Sequence, residues 1–445
     1  MKKHTQPPYE SSEISYKPSG IEWLGEIPQS WENVSIRSCF TESNQRCNTD
    51  SYPLLSVTIA NGIIYQDNIE NKKDISNDDK SNYKIVPLNA VAYNKMRMWQ
   101  GAVGVNTLTT GIVSPAYIVA IPNEKILPNF VSYLFKSKIM IGEFDKNSYG
   151  LCLDMNNLRY DDFRNIKIPL PPLQEQKEIA EFLDSKCEKI QNYIDKKQKL
   201  ITLLQEKKQA LINEAVCGRV ACHTERSEIS TTAYKPSGIE YLGLIPHHWE
   251  VARSGLIYKN ISSGTTPQSD NDEYYKNGNI FWINSGDLND SVLTNSKNKI
   301  TQKAMMAYSA LKISPKGSLI IAMYGATIGK VSILGIDACT NQACCVLCES
   351  KYLNTRFVFY YFIAKRQDLI SMAYGGGQPN ISQDIIKNFK IPLPLLQEQK
   401  QIANFLDEKC EKINSVIEKT KKQIELIKEY KNTLINEAVC GRIDL

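Results

Sequence analysis

Two segments of this chain occur twice in the same order, and this duplication limits the folds open to it. Residues 16–32 (YKPSGIEWLGEIPQSWE) match residues 234–250 (YKPSGIEYLGLIPHHWE) at 13 of 17 positions. Residues 168–219 match 391–442 at 35 of 52 positions. The intervening stretches, roughly 33–165 and 251–388, are nearly equal in length but show almost no residue-for-residue similarity. At 445 residues the length suggests about three domains. The repeats refine this to two modules of one architecture with unlike surfaces, an arrangement suited to reading two different things at once.

Each long repeat opens on prolines (Pro169, Pro171, Pro172; Pro392, Pro394), which suit an extended lead-in and not a helix interior. Each closes on a glycine, Gly218 or Gly441, where a helix C-cap favours one. Between them the spacing predicts one uninterrupted helix of about 44 residues, 173–217 and 396–440. Alternate steps of four and three give Leu183, Cys187, Ile190, Ile194, Lys197, Ile201, Leu204, Lys208 and Leu211. The second copy gives Leu406, Cys410, Ile413, Ile417, Thr420, Ile424, Ile427, Lys431 and Leu434, with polar interruptions at the same two steps. This is a heptad seam that needs a partner. The expected partner is the other copy, running antiparallel, with pairing residues Leu183, Ile190, Ile194, Ile201, Leu204, Leu211, Leu406, Ile413, Ile417, Ile424, Ile427 and Leu434. A seam shared with another protein or another copy of the chain is the alternative. Such a helix spans about 65 Å, nearly two turns of B-DNA.

Both intervening modules read as mixed α/β with much strand: YPLLSVTIANGIIY, NAVAYNKM and GIVSPAYIVAI in the first, NIFWINSGDL, GSLIIAMYGATIGKVSIL and NQACCVLCE in the second. Their loops carry Asn94, Lys95, Arg97, Trp99 and Gln100, and Thr265, Thr266, Ser285, Tyr324, Thr327, Lys330, Asn341 and Gln342. Asn and Gln can pair with adenine edges, Arg and Lys with guanine, and hydroxyls with either base or phosphate. Turn chemistry is the competing explanation for any single one of them.

The composition argues against several functional classes. A net charge of +5 is compatible with nucleic acid without identifying a binder. No apolar run reaches the roughly 18–20 residues of a membrane span, and the polar start lacks a signal-peptide core, so a cytoplasmic protein with no membrane partner is expected. Cys345 and Cys348 form one C-x-x-C without a second pair at zinc spacing, which reads as buried strand thiols with no metal site. GATIGKV (325–331) is a failed phosphate loop: Gly325 and Gly329 enclose three residues and Val331 stands where a hydroxyl would hold magnesium. No nucleophile elbow, zincin motif or acid–base constellation appears, so no catalytic residues are expected.

The motifs PSGIEWLGEIP and PSGIEYLGLIP, IPLPPLQEQKEIAEFLD and IPLPLLQEQKQIANFLD, and SGTTP, INSGDL, YGATIGKV, TNQACCVL and GGGQPNIS resemble the specificity (S) subunit of type I restriction-modification systems over nearly all of 16–442. NKMRMWQGAVG with GIVSPAYIV is similar to another type of target domain in that family. The resemblance implies an α+β fold: two mixed α/β target-recognition domains joined by two long antiparallel coiled-coil helices with pseudo-two-fold symmetry. Its segments would be a tail (1–15), target-recognition domain 1 (16–167), a first long helix for spacing and docking (168–219), a linker (220–233), domain 2 (234–390) and a second long helix (391–445). It further implies a non-catalytic subunit that recognises a bipartite, asymmetric double-stranded DNA target. Adenine methyltransferase (M) subunits would dock on the helices, and restriction (R) subunits would join through them. The chain itself would hold no cofactor; S-adenosylmethionine, ATP and magnesium would belong to the partners. The loop residues named above become DNA-facing candidates. Gln378 and Asn380 of GQPNIS stand between DNA contact and hinge packing. A coiled-coil scaffold whose modules bind other proteins is the alternative function.

Overall fold

The computed structural model describes residues 15–47, 52–69, 80–150, 156–220, 233–373 and 379–443. Two helices dominate it, Leu173–Val216 and Leu396–Val439, each of 44 residues. The chain divides into two compact units whose borders fall inside both helices: unit 1 is Met1–Gln198 with Lys422–Leu445, and unit 2 is Lys199–Lys421. Each unit therefore takes a module, the first half of the helix that follows it and the second half of the other helix.

The proline lead-ins form strands. Lys167–Leu170 pairs antiparallel with Glu32–Ser35, and Lys390–Leu393 with Glu250–Arg253, so the end of each module is stitched to its beginning. Each long helix ends in a left-handed glycine, Gly218 at φ +72° and Gly441 at φ +71°. The next amide bonds back five residues, Arg219 N to Glu214 O at 2.9 Å and Arg442 N to Glu437 O at 2.9 Å, the pattern that satisfies the last carbonyls of a helix. A side chain at either glycine would also collide with a proline, 2.4 Å from Pro246 Cγ and 2.5 Å from Pro28 Cδ.

Those prolines belong to the short repeats, which clasp the helix ends. In unit 1 the Tyr16 hydroxyl donates to Gly441 O (3.2 Å), Arg442 Nη2 to Leu24 O (3.2 Å) and Trp31 Nε1 to Glu175 Oε2 (2.6 Å). In unit 2 Tyr234 donates to Gly218 O (3.0 Å), Arg219 Nη2 to Leu242 O (3.1 Å) and Trp249 Nε1 to Glu398 Oε1 (3.0 Å). Both tryptophans are buried. In each unit, then, the end of one long helix and the first turn of the other are held by one repeat, which requires the two helix halves to run antiparallel.

Two residues of the repeat that read as surface are buried pins. Gln176 Oε1 accepts from Leu127 N (2.8 Å) and its Nε2 donates to Lys125 O and Pro171 O. Gln399 does the same with Asn354 N (2.7 Å), Tyr352 O and Pro394 O. Both have zero exposure, a burial an amide tolerates only when its donors and acceptors are met. About two turns further along each helix, Tyr133 donates to Asp184 (2.5 Å) and Tyr360 to Asp407 (2.6 Å).

The modules share a core sheet beneath unlike sequences. In unit 1 the strand order is Phe40–Ser43, Tyr117–Pro122, Val91–Asn94, Val103–Val105. In unit 2 it is Asn260–Ser263, Cys344–Cys348, Leu319–Ala322, Val331–Leu334, with Val292–Leu293 added at the edge. A short helix after the second of these strands packs its aromatic residues inward in both: Phe130 and Phe135 in one, Phe357 and Phe362 in the other, all buried. Each strand expected within the two modules is present, as are both helices.

The seam residues Leu183, Ile190, Ile194, Ile201, Leu406, Ile417, Ile424 and Leu434 are buried, and Leu204, Leu211, Ile413 and Ile427 are half-buried. The polar interruptions have their own solutions. Lys208 Nζ donates to Asn414 Oδ1 (2.9 Å), and the buried Thr420 hydroxyl donates to Val416 O (2.8 Å) within its own helix.

Candidate nucleic-acid interface

The loops nominated from sequence in the two modules turn out to be the same hairpin. Val91 faces Val105 in one register and Leu319 faces Ile333 in the other. The hairpins close with equivalent bonds, Asn94 N to Ala102 O (3.0 Å) and Ala322 N to Lys330 O (2.9 Å), and turn through left-handed glycines at the same place, Gly101 (φ +87°) and Gly329 (φ +74°). The loops so enclosed are 95–101 and 323–329. GATIGKV is thus a strand–turn–strand, which explains why it fails as a phosphate loop: no helix follows whose N-terminus could face a phosphate.

In unit 1 the loop presents Lys95, Arg97, Trp99 and Gln100. Arg97 and Gln100 are exposed; Asn94, Lys95 and Trp99 are half-buried. Several of these polar atoms are used locally. Asn94 Oδ1 accepts from Met96 N (3.0 Å), and Trp99 Nε1 donates to Met96 O (3.1 Å). Asn94 and Arg97 border a concavity of about 770 Å³ with residues the sequence did not single out: Ser56, Thr58, Gln66, Ser114 and Tyr117. Asn94 also hydrogen-bonds Tyr117, whose hydroxyl is pushed up by burial against the opposing pull of that bond and of Arg97. The hairpin Leu55–Thr58/Gly62–Tyr65 that supplies Ser56 and Thr58 is locked to the Arg97 loop by Lys136, whose Nζ donates to Thr58 O (3.2 Å), Ile59 O (2.7 Å) and Gly101 O (2.9 Å). Burial draws the Lys136 ammonium down to about 8.

In unit 2 four segments converge at the corresponding end of the sheet. Thr266 Oγ1 donates to Gln342 Oε1 (2.6 Å), Trp282 Nε1 donates to Thr265 O (3.2 Å), and Asn341 N donates to Ile283 O (3.0 Å) just before Ser285. Gln342 also stands beside Tyr324, whose hydroxyl is pushed up by burial against the opposing pull of that amide. Gly264 makes the first segment possible, since a Cβ there would sit 1.7 Å from Thr340 O. Thr327 and Lys330 are half-buried farther round the hairpin, where Arg366 Nε donates to Gly329 O (3.1 Å) and its Nη2 pairs with Asp290 (2.5 Å). Of the GQPNIS segment, Gln378 lies outside the described residues. Asn380 is exposed, while Ile381 is buried, with its amide on Met323 O (2.8 Å), and Ser382 caps the helix Gln383–Asn388. The segment thus packs beside Tyr324, with Asn380 left outward.

The cysteines take no part in this surface. Cys345 and Cys348 lie on one strand, three residues apart, and so face opposite sides of the sheet. Cys345 joins the core that holds Trp249 and Phe357, and Cys348 the smaller core around Ile283 and Leu288. Burial pushes Cys345 up to about 12. Two thiols aimed apart cannot share an ion.

Two modules of one topology, each carrying unlike loops at the same end of its sheet, define a duplicated recognition fold. The chain matches the type I restriction modification DNA specificity domain over residues 28–203 and again over 246–426, and it belongs to that family. It is similar to the putative type I restriction enzyme MjaX specificity subunit of Methanocaldococcus jannaschii, at 25% identity over 446 residues, covering 94% of this chain and 95% of that one. It is also similar to the MjaVIII specificity subunit of the same organism, at 28% identity over 354 residues, 75% of this chain and 74% of that one. Among solved structures, one described as the structural basis underlying complex assembly and conformational transition of the type I R-M system superposes with a TM-score of 0.69 at 18% identity, covering 94% of this chain and 99% of its own. The HsdS subunit from Thermoanaerobacter tengcongensis superposes with a TM-score of 0.54 at 18% identity, over 94% of this chain and 98% of that one. These two likenesses are of fold.

Proposed function

We propose that this chain is the sequence-specificity subunit of a type I restriction-modification complex and recognises a bipartite, asymmetric DNA target, one half through each module. One observation carries this reading: the two modules repeat the same sheet order and hairpin register, while the loops at the matching end differ in chemistry. A shared scaffold with divergent loops is what two independent base-reading surfaces require, because the sheet fixes position and the loops fix identity. The long helices set the unread spacer between the half-sites and dock the adenine methyltransferase subunits. Exposed apolar side chains along them, Tyr193, Leu203, Val416, Leu426 and Tyr430, support a docking role, since helices that faced only water would not carry them in series. Restriction subunits join through the methyltransferase. S-adenosylmethionine, ATP and magnesium are then bound by the partners, and this chain supplies no catalytic group. The modest net charge of +5 fits a subunit that shares phosphate contacts with its partners.

Co-expression with the methyltransferase subunits, followed by mapping of methylated adenines in the genome, tests the reading. The expected result is one motif with two short specified halves and an unspecified spacer of fixed length. A continuous motif, or methylation without sequence preference, refutes it.

A further inference from the structure

Gln342 is the most constrained exposed side chain on either recognition face. It lies in the turn between Cys339–Thr340 and Cys344–Cys348, and the turn itself is fixed: Asn341 N donates to Ile283 O (3.0 Å), and Asn341 Oδ1 accepts from Ala343 N (3.1 Å). Two other loops then hold the amide. Thr266 donates to Oε1 at 2.6 Å, and the Tyr324 hydroxyl stands beside the amide from the hairpin. Thr266 is positioned in turn by the Trp282 bond to the preceding carbonyl, Thr265 O. A free surface glutamine gives up rotamer freedom when a ligand orders it, and here that ordering is already in place before any ligand arrives.

A carboxamide offers two N–H donors and two oxygen lone pairs. With one oxygen lone pair engaged by Thr266, at least one donor and one acceptor remain. At least one of each also remains with the amide turned over, because the Thr266 hydroxyl can donate or accept. In the DNA major groove adenine presents an acceptor (N7) beside a donor (N6), guanine presents two acceptors, cytosine a donor, and thymine an acceptor and a methyl group. Adenine alone complements a donor and an acceptor on one group.

We infer that Gln342 reads an adenine in the half-site of the second module, with Thr266 and Tyr324 as the residues that position its amide, an assignment that rests on the DNA-recognition function above. In unit 1 the braced amide among the corresponding loop residues is Asn94, whose Oδ1 accepts from Met96 N (3.0 Å), but it is half-buried. The exposed Arg97 of unit 1 is the opposite kind of reader, a flexible group with donors only.

The test uses the full complex with its methyltransferase subunits and duplexes in which each adenine of the second half-site is replaced singly by 7-deazaadenine, which lacks the N7 acceptor. In the wild type one position should weaken binding roughly 10-fold or more, and Gln342→Ala should abolish the difference at that position while leaving first-half-site discrimination intact. Gln342→Glu retains the acceptor oxygens for Thr266 and Tyr324 and loses the free donor; at the same position its preference should move from adenine toward cytosine. Thr266→Val and Tyr324→Phe should each lower discrimination several-fold without changing the preferred base. A wild type insensitive to every 7-deaza substitution, or a Gln342→Ala complex that keeps its full adenine preference, overturns the inference while leaving the wider function standing. A wild type that discriminates at neither half-site overturns both.

Discussion

The two recognition faces differ in how their polar groups are held. In unit 2 the converging segments are bonded side chain to side chain through exposed groups, Thr266 to Gln342, with Tyr324 beside them. In unit 1 the face is a concavity of about 770 Å³ bordered by Arg97 and Asn94; Ser56 Oγ donates to Gln66 Oε1 (3.3 Å) within its wall, and Lys136 ties two of its segments from behind through three carbonyls. The same hairpin on the same sheet is therefore tied mainly through exposed side chains in one case and through backbone carbonyls behind the face in the other. The common part is backbone register, which the sheet fixes; the manner of tying is a property of a few side chains, free to change without disturbing the fold.

Exchanging residues 251–388 for the corresponding module of a relative is the strongest way to break this comparison. The second half of the methylated motif should be replaced entirely and the first retained; change in both halves would show that the faces are not independent. Next in size is Gly264→Val, which forces a side chain into Thr340 O and should destabilise the protein by roughly 3 kcal/mol or more, whereas Gly286→Ala, with nothing within 4 Å, should cost under about 1 kcal/mol. Chemical denaturation of the two variants checks this, and equal effects would refute the packing argument. Trp31→Phe and Trp249→Phe sharpen the comparison of the clasps. Each removes an indole N–H from a glutamate, and a loss of about 1–3 kcal/mol is expected for Trp31→Phe. The loss at Trp249→Phe should be smaller, because Glu398 keeps His248 Nε2 at 3.0 Å while the matching position in the first repeat is Ser30. Denaturant midpoints of the two variants in the wrong order would remove the distinction.

The prediction narrowest in its range of conditions concerns Lys136. Its folded pKa of about 8 lies below the ordinary 10.5, so between these values the unfolded chain holds the proton more firmly than the folded one, and wild-type stability gains from this group as pH rises through that window. Lys136→Met should lose that gain and also relax first-half-site discrimination a few-fold. Denaturant midpoints of the two proteins that remain parallel from pH 8 to 10.5 would show that the lysine does not titrate as its burial dictates.

The long helices, their glycine ends and the extended proline lead-ins were legible in the sequence because each follows from local rules that two copies state independently. The antiparallel pairing was legible from the seam. The common topology of the modules was not. It resides in the register of strands only three to six residues long, where Val91 and Leu319, or Val119 and Val346, need only be apolar and inward, so identity between the copies is lost while position is kept. The buried glutamines were hidden for another reason: Gln176 and Gln399 sit amid Leu-Gln-Glu-Gln-Lys, which reads as solvated helix surface, and only the backbone of a distant segment makes use of them. Of the candidate site, sequence picked out the hairpins and Gln342. It missed Ser56 and Tyr117, which come from strands, Gln66, which opens a short 3-10 turn, and Lys136, which reaches in from the turn between two helices distant in sequence from the loops it ties.

The split of both long helices between the units has a consequence for how the protein is made on the ribosome. Unit 2 is one continuous stretch, Lys199–Lys421, and its last contributing residue is synthesised before unit 1 has all of its parts. Unit 1, although its larger part precedes unit 2, waits for Lys422–Leu445 to bring Gly441 and Arg442 to Tyr16 and Leu24. The usual order of vectorial folding, earlier segment first, is thereby inverted. The module made first is closed after the module made second, and it must remain unaggregated with an open helix seam until Gly441 and Arg442 have been made.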